Sequence, residues 1–335
     1  MSDDLVLITG ITGYIASHCA RQALNAGFKV RGTARNAEKA AKVLGELNAD
    51  IDYVSADLMQ QDGWADAMQG VRYVLHVASP FPDKPPAHED DLIVPARTGA
   101  EHVLRAAKQA GADRVVLTSS MAAISSGYGK AAHERTFSHK DWSNLAGEIG
   151  AYEKSKTIAE QAAWELARDI DLDLAVINPG LVLGPLVADN AGTSLEAVRR
   201  ILTGEMPGLP KLGFGMVDVR DVAAAHISAM TAPEAVGNRY PCVADYCWMH
   251  EMAAIAKEAL GARGTKIPTR RIPNFAVKIA AMFDPTLKLA SKGLGVRHLV
   301  DTSTTQRDLD WTPMSPQQTL VDTAEDLIAR GIVQL

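Results

Sequence analysis

Leu5 to Ala16 reads LVLITGITGYIA, and the fold turns on how that stretch is read. Four apolar residues running into Thr9 predict a short, fully buried strand. Gly10, Gly13 and Ala16 follow at intervals of three, and an apolar helical pattern takes over at Tyr14. Strand, glycine turn and helix in that order are the context that a dinucleotide-binding fingerprint requires. Gly10 lets the chain turn tightly, and Gly13 lets the backbone approach a pyrophosphate without an intervening Cβ. Ala16 keeps the helix near the sheet, and the helix N-terminus offers N–H groups and a positive dipole end. Thr12, Gly13, Tyr14 and Ile15 are therefore candidate phosphate-side contacts. An ordinary strand–turn–helix with small residues remains open on this stretch alone.

The chain beyond it repeats the pattern. The first helix runs to Gly27, a suitable C-cap, and Phe28 to Thr33 reads as a second strand. Ile51–Ser55, Tyr73–Val77, Arg114–Thr118 and Asp173–Asn178 read as further strands, with a long helix from Asp90 to Ala110. Such alternation requires a parallel sheet with right-handed crossovers and helices on both faces. The fold class expected is α/β, a Rossmann-type doubly wound parallel sheet. After Pro185 the pattern is less regular. Helices are expected over Thr193–Thr203, over Val222–Met230 with Asp221 as cap, and over Trp248–Leu260, Asn274–Phe283 and Ser315–Ala329. A strand is expected over Asn238–Val243, and Pro207–Gly215 reads as a Gly/Pro-rich loop. Residues 1–185 form the expected dinucleotide-binding domain, with 217–245 returning to it. Residues 186–216 and 246–335 form a smaller C-terminal substrate-binding lobe closing over the crevice at the strands' carboxyl ends.

Composition narrows the function. Of 335 residues, 47% are apolar and 22% charged, the balance of a globular protein with a large core. A net charge of −6, with no basic cluster, argues against nucleic acid or an anionic membrane as partner. The acidic start, Met-Ser-Asp-Asp, leads straight into the first strand without a signal-peptide pattern, and no apolar run reaches membrane-span length. Three cysteines, Cys19, Cys242 and Cys247, are too few for a disulfide framework and lack zinc-site spacing. His133 beside Glu134 reads as a solvated loop pair. The expectation is a reduced cytoplasmic protein without a structural metal.

The strand ends carry the cofactor signals. The second strand leads through Arg31-Gly-Thr-Ala-Arg35, with Lys39 one helical turn later, where NAD-specific folds place a carboxylate. Arg35 offers a bidentate fork to a ribose 2′-phosphate and Lys39 a point charge, which favours NADP(H). The alternative is a pair of solvated surface cations. Asp57-Leu58 follows the third strand, where the acid could reach an adenine amino group or cap the next turn. Ala78 and Ser79 end the fourth strand, and small residues there leave room for a cofactor. Phe81 to Pro86 holds three prolines and reads as a loop over the site.

Strand five ends in Thr118-Ser119-Ser120, and a later helix opens at Ala151. Tyr152 and Lys156, four apart, share one face of that helix. A phenol normally titrates near pH 10, and a neighbouring ammonium lowers that value toward the working range of a general acid/base. A hydroxyl from Ser120 could hold a carbonyl oxygen and stabilise charge developing on it. Tyrosine and lysine at this spacing occur on many helices. The position after the fifth strand of such a sheet gives this pair its weight.

Taken together, these residues resemble the extended short-chain dehydrogenase/reductases, within the dihydroflavonol reductase, cinnamoyl-CoA reductase and aldehyde/ketone reductase group. The resemblance rests on Thr9-Gly10-x-x-Gly13-x-x-Ala16, although that branch usually has glycine at the last position. It also rests on Arg31 to Arg35, Val74 to Pro80, Val116 to Ser120, Tyr152-x-x-x-Lys156, Asn178-Pro-Gly-Leu-Val-Leu-Gly-Pro185, Val217 to Ala223 and Gly237 to Tyr240. It implies Ser120, Tyr152 and Lys156 as a catalytic triad and Arg35 with Lys39 at the 2′-phosphate. Pro179, Gly180 and Val182 are implied to lie against the nicotinamide, and Lys156 to hold the nicotinamide ribose.

The activity then expected is reversible, NADPH-dependent reduction of an aldehyde or ketone, a small-molecule carbonyl. Its pocket would be walled by Phe81, Met121 and Leu181, residues that serve equally well as core. Plant dihydroflavonol reductases carry an asparagine shortly after the serine where this chain has Ser125, and no counterpart of the coenzyme A contacts is evident. Neither plant substrate is therefore implied. Two rival readings share the scaffold. A nucleotide-sugar epimerase or dehydratase usually keeps NAD, and dehydratases place an Asp-Glu pair where Met121-Ala122 stands. A non-catalytic NADP sensor would not need the Tyr/Lys pair. A homodimer through paired long helices is as compatible with the sequence as a monomer.

Overall fold

The structure, a computed structural model, describes residues 4–47, 51–79, 86, 88–188, 192–283, 291 and 293–335. The first part runs β1 (Leu5–Ile8), α1 (Tyr14–Asn25), β2 (Lys29–Ala34), α2 (Ala37–Leu47), β3 (Asp52–Ser55), α3 (Trp64–Met68), β4 (Val71–His76), α4 (Asp90–Gln109) and β5 (Arg114–Thr118). After two short 3-10 turns come β6 (Thr136–Phe137), α5 (Ala151–Asp169), β7 (Leu174–Pro179), β8 (Leu181–Leu183), α6 (Thr193–Leu202), β9 (Leu209–Pro210) and β10 (Gly213–Asp218). The rest is α7 (Val219–Thr231), β11 (Arg239–Cys242), β12 (Asp245–Trp248), α8 (Met249–Leu260), β13 (Arg271–Ile272), α9 (Asn274–Ala280), β14 (Leu299–Val300), α10 (Ser303–Leu309) and α11 (Pro316–Ala329).

Seven strands form one sheet in the order β11-β7-β5-β4-β1-β2-β3, and every pairing in it is parallel. The order reverses direction between β1 and β4, so a crevice opens beyond their carboxyl ends. The central strands β1, β5 and β7 are buried on both faces, which is why they read as continuous apolar runs and not as alternating ones. Val6, Ile8, Val116, Ala175 and Ile177 enter the core shared with α1 and α7. Their neighbours Leu7, Val115, Leu117, Leu174 and Val176 enter the opposite core with α4 and α5. Successive residues on each strand thus take opposite sides.

The second half departs from the sequence expectation in three places. The Pro207–Gly215 stretch is not all loop, because it contains β9 and the start of β10. β10 pairs in parallel with β8 and antiparallel with β12 in a separate three-stranded sheet. The glycines there mark close packing: a Cβ on Gly215 would stand 2.9 Å from Val243 Cγ1. β12 takes Trp248 out of the expected helix. Finally, Asp218 and not Asp221 caps α7, its side chain accepting from the Arg220 N–H at 2.8 Å. Asp221 instead accepts from the Met314 N–H at 2.7 Å and ties the C-terminal segment to α7. Among the described residues no helix is long and apolar enough to cross a membrane.

Three histidines are buried within this frame. His18 meets the Pro185 carbonyl at 2.9 Å, His76 meets Thr9 Oγ1 at 2.9 Å, and His226 meets Thr118 Oγ1 at 2.7 Å. Desolvation lowers His18 and His226 from 6.5 to about 4 and His76 to about 3, with the Lys156 charge adding to the last. All three are neutral in the fold and take up protons on unfolding as pH drops below the ordinary value. Unfolding then binds more protons than folding, so stability falls with falling pH. Each lowered unit is worth about 1.4 kcal/mol at full titration. Asp221, raised by burial to about 6, acts oppositely and offsets part of the loss. The urea midpoint is therefore expected to be lower at pH 5 than at pH 7.5. His18→Gln, which keeps a donor for the Pro185 carbonyl, should flatten that difference. Equal midpoints at the two pH values would contradict this account.

Candidate active site

The glycine turn at the end of β1 forms one wall of a cleft of about 440 Å³. Gly10 adopts φ +65°, a conformation that costs an L side chain energy, and a Cβ there would stand 2.9 Å from Ala78 Cβ. The Gly13 N–H donates to the Gly10 carbonyl at 2.8 Å, closing the turn. Gly13 is the extended N-cap of α1, no side chain caps that helix, and its first residues, Tyr14 to Ala16, line the cleft. Thr12, Tyr14 and Ile15 line the same wall. Tyr14 does so with its hydroxyl already committed, donating to the Gly184 carbonyl at 2.8 Å.

β4 is fastened to this turn by the Ala78 N–H, which donates to Thr9 Oγ1 at 2.9 Å. Ala78 and Ser79 form the cleft floor. At its outer end lie Arg35, Asp57 and Leu58, joined by Met59 and Trp64. Asp57 Oδ1 accepts from the Met59 N–H at 2.8 Å, the turn-capping role left open by the sequence, while the residue still faces the cleft. Trp64 Nε1 donates to the Asp57 and Gln60 carbonyls at 3.2 and 3.0 Å and props that loop. Arg35 stands exposed at the mouth. Lys39, exposed on α2, is not among the residues that line the cleft.

The inner end holds Ser120, Tyr152 and Lys156, with Pro179, Gly180 and Val182 on the facing wall. Ser120 follows β5, and its hydroxyl oxygen accepts from the Ala122 N–H at 3.1 Å, which orients it. The Tyr152 phenol is hydrogen-bonded to Ser120. Lys156 Nζ, one helical turn on, donates to Ser79 Oγ at 3.1 Å. The electrostatics differ from the sequence expectation of a phenol lowered by its lysine. Burial dominates and raises Tyr152, the Ser120 hydrogen bond opposes it, and the Glu153 charge adds to the rise. Burial also lowers Lys156 to about 8, with the Glu160 carboxylate opposing. At neutral pH the phenol holds its proton and the ammonium most of its charge.

Of the three expected pocket walls, Met121 and Leu181 are not on the lining of this cleft. Met121 is buried in a small cluster with Ile124, Ala132 and Phe137. Leu181, half-buried on β8, packs against the main core. Both join hydrophobic packing, the core role that the sequence leaves equally open. Phe81 lies outside the described residues, as does most of its loop. Sequence reasoning missed Ser119 and Glu160. The available signal was a carboxylate four residues past Lys156 on a face otherwise filled by Ala159, Ala163 and Leu166. Among the described residues no group of three His, Cys, Asp or Glu side chains could hold a metal ion.

With this geometry in place, comparison with known proteins is informative. The chain is 37% identical to cinnamoyl-CoA reductase 1 of Arabidopsis thaliana, over 69% of its own length and 68% of that protein's. It is 33% identical to the NADPH-dependent methylglyoxal reductase GRE2 of Saccharomyces cerevisiae, over 70% of this chain and 76% of that one. The structure superposes on yeast methylglyoxal/isovaleraldehyde reductase Gre2 complexed with NADPH with a TM-score of 0.82 and 28% identity, covering 98% of this chain and 100% of the other. Residues 6–242 match the NAD dependent epimerase/dehydratase family, so the chain belongs to that family of extended short-chain dehydrogenase/reductases.

Proposed function

We propose that the protein is an NADPH-dependent reductase that converts an aldehyde or ketone to the alcohol. The observation that carries this reading is the Tyr152 phenol, hydrogen-bonded to Ser120 in the wall of the cleft where Lys156 also stands. The cofactor site fits the residues present. Gly10 and Gly13 clear the approach to the α1 N-terminus, and Arg35 offers its guanidinium to a 2′-phosphate at the mouth. When bound, the reduced nicotinamide supplies the hydride for the carbonyl carbon. Ser120 holds the carbonyl oxygen, and Tyr152 delivers its proton to the oxygen as charge grows there. Lys156, charged and one turn away, stabilises the phenolate that remains. Reading the chain as two units, 1–185 with 217–245 binds the cofactor and the rest covers the carbonyl.

The relatives named as reductases support this reading over sugar epimerisation, as does Arg35 where an acid would suit NAD. The test is cofactor oxidation followed by absorbance against aromatic and aliphatic aldehydes, ketones, diketones and dihydroflavonols, with NADH run alongside NADPH. Turnover is expected with NADPH well above NADH. Silence across the whole panel, in protein shown to bind NADPH, would sink the proposal.

A further inference from the structure

We propose that Glu160 is a positioning residue for the reduction: its buried carboxylate, paired with Arg239, gathers the ends of β5 and β7 onto the helix that carries Tyr152 and Lys156. This inference rests on the reading of Tyr152 and Lys156 as the reacting pair. Glu160 is 1% exposed and lies two turns below Tyr152 on one face of α5. Its Oε2 accepts from Ser119 Oγ at 2.5 Å and from Asn178 Nδ2 at 2.8 Å; its Oε1 accepts from Arg239 Nε at 2.5 Å and Trp164 Nε1 at 3.3 Å. Four donors on one carboxylate come from β5's end, β7's end, β11 and α5 itself.

Each donor is tied in turn to the site. Ser119 precedes Ser120, and Asn178 precedes Pro179. Asn178 Nδ2 also reaches the Ser120 carbonyl at 3.3 Å, so a single amide bridges Glu160 to the backbone of the serine. The Asn178 Oδ1 atom has no partner among the described residues, which leaves the amide oriented by what its nitrogen donates to. Arg239 is held from behind, donating to the His139 and Asp141 carbonyls at 3.1 and 2.5 Å and lying 3.8 Å over the Trp142 ring.

A buried ion pair is a poor source of stability, since its desolvation cost rivals its attraction, whereas its directional bonds fix geometry. Here the geometry fixed is the separation of Ser120 from Tyr152 and Lys156. The carboxylate also faces Lys156 from one turn below and opposes the loss of its proton. The other groups around that ammonium are His76 on β4, which burial keeps neutral, and Tyr152 on its own helix; Arg239 lies beyond Glu160 and is paired with it.

The experiment compares Glu160→Gln, Glu160→Asp and Ser119→Ala with the parent enzyme, measuring NADPH affinity, kcat per folded cofactor-binding site, and the pH profile of kcat. Glu160→Gln is expected to lower kcat by about 10- to 100-fold, the scale of a misplaced reacting group, with NADPH affinity nearly unchanged. Its alkaline limb should move to lower pH, because Lys156 loses its neighbouring charge. Glu160→Asp, which keeps the charge, should return that limb toward the parent position. Should Glu160→Gln not fold, Ser119→Ala removes a single donor and is expected to lower kcat in the same direction. Parent kcat and pH profile in folded Glu160→Gln, or a loss that follows only the folded fraction, would overturn the inference. Unreduced kcat in Ser119→Ala would do the same where that variant stands in. Tyr152→Phe run in parallel separates the two ideas, since surviving turnover there removes the underlying reading whatever Glu160 does.

Discussion

Tyr152→Phe is expected to reduce kcat by about 10²- to 10⁴-fold, the usual contribution of a positioned acid, while NADPH binding changes little. The substitution removes one oxygen and leaves the ring. That oxygen is the group bonded to Ser120, and it belongs to a phenol that burial keeps protonated at neutral pH, the form a reduction consumes. Two influences act on it in opposite directions. Desolvation makes the phenol a weaker acid, whereas the hydrogen bond with Ser120 opposes that rise. A donor raised in the ground state and relieved as charge develops is the arrangement in which positioning matters most. Binding can be followed separately through the fluorescence of Trp64, which lines the cleft. Undiminished turnover in a variant that still binds NADPH would refute the assignment of Tyr152.

The same contrast between local and distant causes explains what could be read from the sequence. The seven-stranded sheet was legible because its central strands β1, β5 and β7 are buried on both faces and read as apolar runs, with errors of a residue or two at the ends. That Tyr152 and Lys156 share one face of a helix was legible because four residues on a helix is a fixed geometry. The three-stranded sheet was not. β8 and β12 are short and β10 begins Gly-Phe-Gly, so their pairing is specified by close backbone approach that no periodicity records. Glu160 gave a weak signal for a related reason. Beside Lys156 it reads as one half of a solvated i,i+4 pair, and donors distant in sequence, Arg239 at 79 residues and Ser119 at 41, make a buried carboxylate tolerable there. Lys39 stands differently. It sits one turn beyond Arg35, exposed on α2 and off the cleft lining, with its backbone N–H donating to Asn36 Oδ1 at 2.9 Å.

With Arg35 on the cleft lining and Lys39 off it, Arg35 is the proposed 2′-phosphate contact, and Arg35→Asp is expected to lower the NADPH-to-NADH ratio of kcat/KM by about 10²- to 10³-fold. Charge-assisted bonds from a guanidinium to a phosphate are worth roughly 1.5–3 kcal/mol, or about tenfold to a hundredfold. The carboxylate then adds repulsion toward the 2′-phosphate, while offering NADH the ribose acceptor that NAD-specific folds place at this strand end. Because Arg35 is exposed, salt should screen its contribution, so the parent's preference ought to shrink as ionic strength rises. Lys39→Ala serves as the internal comparison. If both cations held the phosphate, the two variants would lose NADPH affinity on a similar scale; from the cleft geometry, Lys39→Ala should change it by only a few fold. Steady-state kinetics with both coenzymes at two salt concentrations distinguishes the cases. An Arg35→Asp ratio equal to the parent's would mean that the phosphate is recognised elsewhere, and the end of β2 would then say nothing about which nicotinamide cofactor the enzyme takes.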